Sequence, residues 1–129
     1  MKDETGKWLR YAEENLQSAR LLLEHSLLNP CLQNAQQAVE KLLKALLIEG
    51  SIPLQRIHSI NTLVGILAER GITTNLTEAE CDLLDAIYVP SKYPLGSSLP
   101  DFEPDTATCH QCLDIAERVS ELVRQHLGT

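Results

Sequence analysis

Apolar residues in the middle of the chain fall at helical spacing. Between Pro30 and Glu49, the residues Ala35, Ala38, Val39, Leu42, Leu43, Leu46 and Leu47 recur at steps of three and four. That spacing lays a wide apolar stripe along one helix. Asn29 suits the N-cap, and Pro30 suits the first helical position, where its missing N–H costs nothing. Gly50 suits a left-handed stop. The opposite face carries Gln33, Gln37, Glu40, Lys41 and Lys44. Glu40 precedes Lys44 by one helical turn in the favourable order, worth roughly 0.2–0.5 kcal/mol. A helix this rich in leucine needs neighbours, so it is expected at the centre of a bundle.

The flanking segments supply them. Trp8, Ala12, Asn15 or Leu16, Ala19, Leu22 and Leu23 predict a first helix from Asp3 or Glu4 to Leu28. The short Asn29-Pro30 junction makes the first two helices antiparallel neighbours. After a connector from Gly50 to Ile57, broken by Pro53, a third helix starts at His58 or Ser59. Its inward line is Ile60, Leu63, Val64 and Leu67, and Gly71 stops it. Thr77 and Glu80 form a capping box for a fourth helix, with Leu84, Ile87 and Tyr88 inward and Pro90 as its end. Four of the six prolines lie between Val89 and Pro104, a loop signature. Asp105 caps a last helix to about His126, with Cys109, Ala116, Val119, Leu122 and Val123 inward. The expected fold is all-α: an antiparallel up-and-down four-helix bundle with an additional short or terminal helix, in a single domain over residues 1–129.

Composition narrows the functional classes. Only 4% of residues are aromatic against 43% hydrophobic, so the core must be aliphatic. A net charge of −7 argues against a broad non-specific nucleic-acid surface but leaves room for a local basic pocket. No apolar run approaches the roughly 20 residues of a membrane span. The start, MKDETGKWLR, has no apolar signal core, so Cys31, Cys81, Cys109 and Cys112 are expected as reduced thiols in a cytoplasmic protein.

Few residues carry chemistry. His58 offers a proton donor and an acceptor near neutral pH, and it is equally suited to capping the third helix. Lys92-Tyr93-Pro94 joins an ammonium for phosphate to a ring for stacking, or pins the loop to the bundle. Gln37, Glu40 and Lys44 face either a cleft or solvent. Cys109-His110-x-Cys112 sits within one turn and lacks a second ligand pair, so no metal is expected. There is no glycine-rich phosphate loop, and no cofactor is expected.

The run Gln36-Gln37-Ala38-Val39-Glu40-Lys41-Leu42-Leu43-Lys44-Ala45 follows Cys31. Together with Trp8, Ala12, Leu16, His58, Tyr88 and Lys92-Tyr93-Pro94, it resembles the HEPN domain family over almost the whole chain. The resemblance implies homodimerisation and a minimal nucleotidyltransferase partner. For some members it implies metal-independent RNA cleavage by an Arg and a His with four to six residues between them, in toxin–antitoxin pairs. Arg56 and His58 have one residue between them, Arg118 and His126 have seven, and Arg124 and His126 again have one. The family's Arg-Tyr-Pro is Lys92-Tyr93-Pro94 here, which keeps the charge and loses the planar fork. The function expected is therefore a non-catalytic interaction module paired with a nucleotidyltransferase, with a nucleotide held by Lys92, Tyr93, His58, Gln37 and Lys44. The alternatives are a metal-independent RNase toxin and a helical adaptor without a small ligand.

Overall fold

A computed structural model of the chain describes residues 1–53, 56–92 and 103–129. Among them are five helices and no strand: α1 (Asp3–Glu24), α2 (Leu28–Glu49), α3 (Ile60–Glu69), α4 (Glu78–Lys92) and α5 (Thr106–Leu127). The all-α bundle expected from the pattern is what forms, with the ten-residue α3 as its short member.

Helix α2 is the centre, and it touches each of the other four. Its Cys31, Leu32, Ala35, Ala38, Val39, Leu42, Leu43 and Ala45 are each no more than 1% exposed. Cross-links set the directions of its neighbours. Thr5 Oγ1 donates to Glu49 Oε1 at 2.9 Å, and Lys41 Nζ donates to Asn15 Oδ1 at 2.7 Å. The start of α1 therefore lies beside the end of α2, and the pair is antiparallel. Arg20 Nε donates to Glu117 Oε1 at 3.0 Å, and Arg124 lies 3.6 Å from Glu13, so α5 also runs against α1.

Several helix ends fall where local chemistry puts them. Ser59 Oγ accepts from Thr62 N, and Asp105 Oδ1 from Thr108 N. Thr77 and Glu80 close the capping box in both directions, at 2.9 and 3.1 Å. Gly71, at φ 78, ends α3 with Ile72 N bonded back to Leu67 O.

Other ends differ from expectation. Helix α1 stops at Glu24 rather than Leu28, because Ser26 takes φ 58 and Leu27 N bonds back to Leu22 O. Helix α2 then starts at Leu28, so Asn29 is a helical residue and not the N-cap. Pro30 still lies in the first turn, where no N–H has an intrahelical partner. Gly50 keeps φ −81, and the left-handed residue is Ser51, whose side chain accepts from Lys2 Nζ. Pro90 does not end α4, which runs on to Lys92. A proline in a last turn removes only one backbone bond. The remainder of the proline-rich stretch, 93–102, lies outside the described residues.

All four cysteines are free and buried. Burial pushes the Cys109 and Cys112 thiols up to about 12. His110 is exposed while Cys109 and Cys112 face the core, so this triplet diverges. Among the described residues no group of three or more His, Cys, Asp and Glu is placed to hold a metal ion.

Glu80 also reaches across the bundle. Both of its carboxylate oxygens accept from Arg118 Nη2 at 2.8 Å, tying the start of α4 to α5. Burial alone would raise its pKa, but the bonds from Arg118 and Thr77 outweigh that and hold it below the ordinary 4.5. A carboxylate depressed on folding adds stability above its unfolded pKa and loses it as pH falls through the folded value. Glu80→Ala is expected to cost about 1–2 kcal/mol at pH 7, measured by urea denaturation. The gap from the parent should close progressively below about pH 4.5, and a gap that stays constant would refute this account.

Candidate functional site

Polar residues one turn apart on α2, Gln36, Glu40 and Lys44, form a line that is buried instead of solvated. Their residual exposures are 1%, 4% and 5%. The sequence left Glu40 and Lys44 facing either a cleft or solvent, and the structure buries both. The physical reason is that α1 packs along one flank of α2 and α3 and α4 along another, closing over this line.

Glu40 is the hub of the line. Its Oε2 accepts from Lys44 Nζ at 2.9 Å and lies 3.2 Å from His58 Nδ1. Its Oε1 is 3.4 Å from Gln36 Nε2, and Gln36 Oε1 accepts from Gln37 Nε2 at 2.7 Å. Three of the five candidate ligand residues, Gln37, Lys44 and His58, thus meet in one network around the Glu40 carboxylate. Tyr93 and the side chain of Lys92 lie outside the described residues.

His58 is where the network reaches solvent. Its side chain is 45% exposed against 5% for Glu40. The ring stacks on Tyr88 of α4, with centroids 5.1 Å apart and planes at 12°. An ionised carboxylate only accepts, so the Glu40 contact places the proton on Nδ1 and leaves Nε2 of the neutral ring as an acceptor. Beyond it lies an open cleft of about 290 Å³ lined by His58, Ser59, Asp85 and Tyr88.

The backbone next to His58 is held from another helix. Asp85 of α4 accepts from Ile60 N at 2.6 Å, from Ser59 Oγ at 3.0 Å and from Asn61 Nδ2 at 2.9 Å. These bonds neutralise the start of α3 and its positive helix end. At the other end of the line, Lys44 Nζ sits 5.8 Å from the centre of the Trp8 ring, within cation–π range. A buried carboxylate with a cation, an oriented imidazole and a stacked phenol can hold a phosphate ester at its mouth and move a proton there.

One Arg–His pair with the family spacing escapes the sequence reading: Arg20 and His25 have four residues between them. The structure places Arg20 on Glu117, with Glu13 at 3.8 Å, beside a depression also lined by Glu121 and Arg124. His25 is the exposed C-cap of α1. The carboxylates of Glu117 and Glu13 already engage the guanidinium, and among the described residues no member of the network around Glu40 reaches it.

The model of the HEPN domain matches residues 5–126. The chain belongs to the HEPN domain family. It is 27% identical over 132 residues to "Putative toxin MJ1304" of Methanocaldococcus jannaschii, a match spanning 93% of this chain and 86% of that one. Its fold is similar to the crystal structure of TT1696 from Thermus thermophilus, with a TM-score of 0.79 and 25% identity, covering 96% of this chain and 98% of the other. It is also similar to ST0689, an archaeal HEPN homologue, with a TM-score of 0.72 and 26% identity over 98% of both chains. No helix among the described residues of this HEPN chain is long and apolar enough to cross a membrane.

The buried Glu40–Lys44 pair makes a direct prediction. Removing one partner strands the other charge, at a cost of about 3–5 kcal/mol, whereas removing both charges is far milder. Lys44→Met is expected to lose stability in that range in urea denaturation. Adding Glu40→Gln to Lys44→Met should recover more than half of the loss. A double variant no more stable than Lys44→Met would show that the stranded carboxylate is not the cause.

Proposed function

We propose that this chain is a toxin-type HEPN protein that cleaves single-stranded RNA without a metal ion, with His58 as the proton acceptor and Glu40 as the group that orients it. The observation that carries the reading is His58, held by the Glu40 carboxylate and lining an open cleft. The toxin name of the M. jannaschii relative supports it.

In this reading His58 Nε2 takes the proton of a ribose 2′-hydroxyl. The 2′ oxygen attacks the adjacent phosphorus, the bond from phosphorus to the 5′ oxygen breaks, and that oxygen leaves with a proton from water. The products are a 2′,3′-cyclic phosphate and a 5′-hydroxyl. Glu40 keeps the imidazole in one tautomer and balances the charge it gains. The Lys44 ammonium offsets Glu40, so the network as a whole does not repel the phosphate. Lys92 and Tyr93 remain proposed as phosphate and base contacts. The active form is proposed to be a cytoplasmic homodimer paired with a small nucleotidyltransferase.

The test is incubation of the purified protein with single-stranded RNA in EDTA, with product ends identified by mass spectrometry. Cyclic-phosphate ends are expected. A substrate with 2′-deoxyribose at the cleaved position should remain intact. His58→Ala should slow cleavage by about 10²–10⁴-fold while its circular dichroism spectrum shows the helical fold retained at the assay temperature, even though losing the Glu40 bond lowers its melting temperature. Cleavage unchanged in His58→Ala but abolished in Arg20→Ala or His25→Ala would relocate the site to the end of α1. No cleavage by the parent protein would return the non-catalytic module to first place.

A further inference from the structure

At its Lys44 end the polar line on α2 lies against Trp8, which lines a second concavity larger than the His58 cleft. A groove of about 660 Å³ lies between α1 and α2, lined by Asp3, Glu4, Lys7, Trp8, Tyr11 and Lys41. Its volume falls within the range of small-molecule sites. We infer that this groove is a subsite for single-stranded RNA, in which a nucleobase stacks on Tyr11 and Trp8 and the backbone phosphate lies against Lys7 and Lys41. The inference rests on the RNA-cleaving reading for its ligand class, and it adds a binding site remote from His58.

Four observations carry it. Tyr11 is 46% exposed, which is costly for an aromatic side chain in a protein with so few. Arg10 lies over its ring at 5.2 Å without lining the groove, so the guanidinium orients the ring from outside. Trp8 is half-buried beside Tyr11 and touches Lys44 of the Glu40 network, so the groove and the His58 cleft are the two ends of one connected strip. Lys41 Nζ is fixed at the groove edge by Asn15 Oδ1, and Lys7 is exposed one turn before Tyr11.

The charge distribution orients the ligand. Asp3 and Glu4 occupy the first turn of α1, and Lys7, Tyr11 and Lys41 lie further along. The phosphate therefore sits at the lysine end, away from the acids. Aromatic stacking with flanking cations is the sequence-tolerant mode of holding single strands, because every base has a π-face. A duplex offers no unstacked base and should bind poorly.

Trp8 is the sole tryptophan, so its fluorescence reports the groove directly. The probe is a 2′-O-methyl oligouridylate decamer, which an attack by the 2′ oxygen cannot cleave, titrated against the full chain. Saturable quenching that weakens as salt rises is expected. Tyr11→Ala and Lys7→Glu, both exposed positions, should each weaken binding by about five-fold or more without lowering the melting temperature. Absence of quenching, or quenching unchanged in both groove variants, overturns the subsite. Equal quenching by a blunt RNA duplex also overturns it. Cleavage of RNA without Trp8 quenching removes the subsite and leaves the nuclease standing, whereas quenching without cleavage keeps the subsite and removes the nuclease.

Discussion

A carboxylate in the middle of an aliphatic bundle organises much of this structure. Glu40 is on the most buried helix of a fold whose core is leucine, isoleucine, valine and alanine. Taking that charge out of water is costly unless donors surround it. Three side chains supply them: Lys44 from its own helix, Gln36 from the preceding turn, and His58 from the connector before α3. No buried side-chain nitrogen or oxygen among the described residues lacks a partner, so the compensation is complete. The requirement also constrains the rest of the chain. The connector must return His58 to α2, and Tyr88 of α4 then stacks on it.

Polar side chains join the helices in the same way elsewhere. Glu80 closes the capping box of α4 and also holds Arg118 of α5. Asp85 caps α3 from α4, and Glu49 at the end of α2 accepts from Lys2 N and Thr5 at the start of α1. In each case a group that satisfies a helix end also fixes how two helices meet. Short side-chain links therefore set the relative positions of elements that aliphatic packing alone would leave free to slide. That precision matters at His58, because a proton acceptor works only when its nitrogen is held within hydrogen-bond reach of the reacting group.

The network also accounts for how a chain of charge −7 can be read as acting on RNA. Affinity need not come from a broad basic face. The two concavities along the strip present, at one end, an imidazole beside a phenol and, at the other, two aromatic rings between lysines. Both are small, local, and joined through Glu40 and Lys44. Such an arrangement suits an unstacked single strand better than a duplex, whose charge would meet the acidic remainder of the surface.

The five helices, the central rank of α2 and the family resemblance were all legible in the chain. Periodicity, the Thr77–Glu80 box, the Asp105 cap and the Gly71 stop are local features, and a helix keeps them whatever it packs against. The ends at Ser26 and Ser51 were not legible, because serine carries no left-handed preference and there the packing sets the chain direction. Nor was the site. The sequence shows Gln36, Glu40 and Lys44 in line, a spacing that belongs as readily to a solvated face as to a buried one. Only when α1, α3 and α4 close over α2 does that line become an interior one, and only then does a distant His58 become its outlet. Burial is a property of what covers a residue, and the covering elements come from parts of the chain that no local pattern connects.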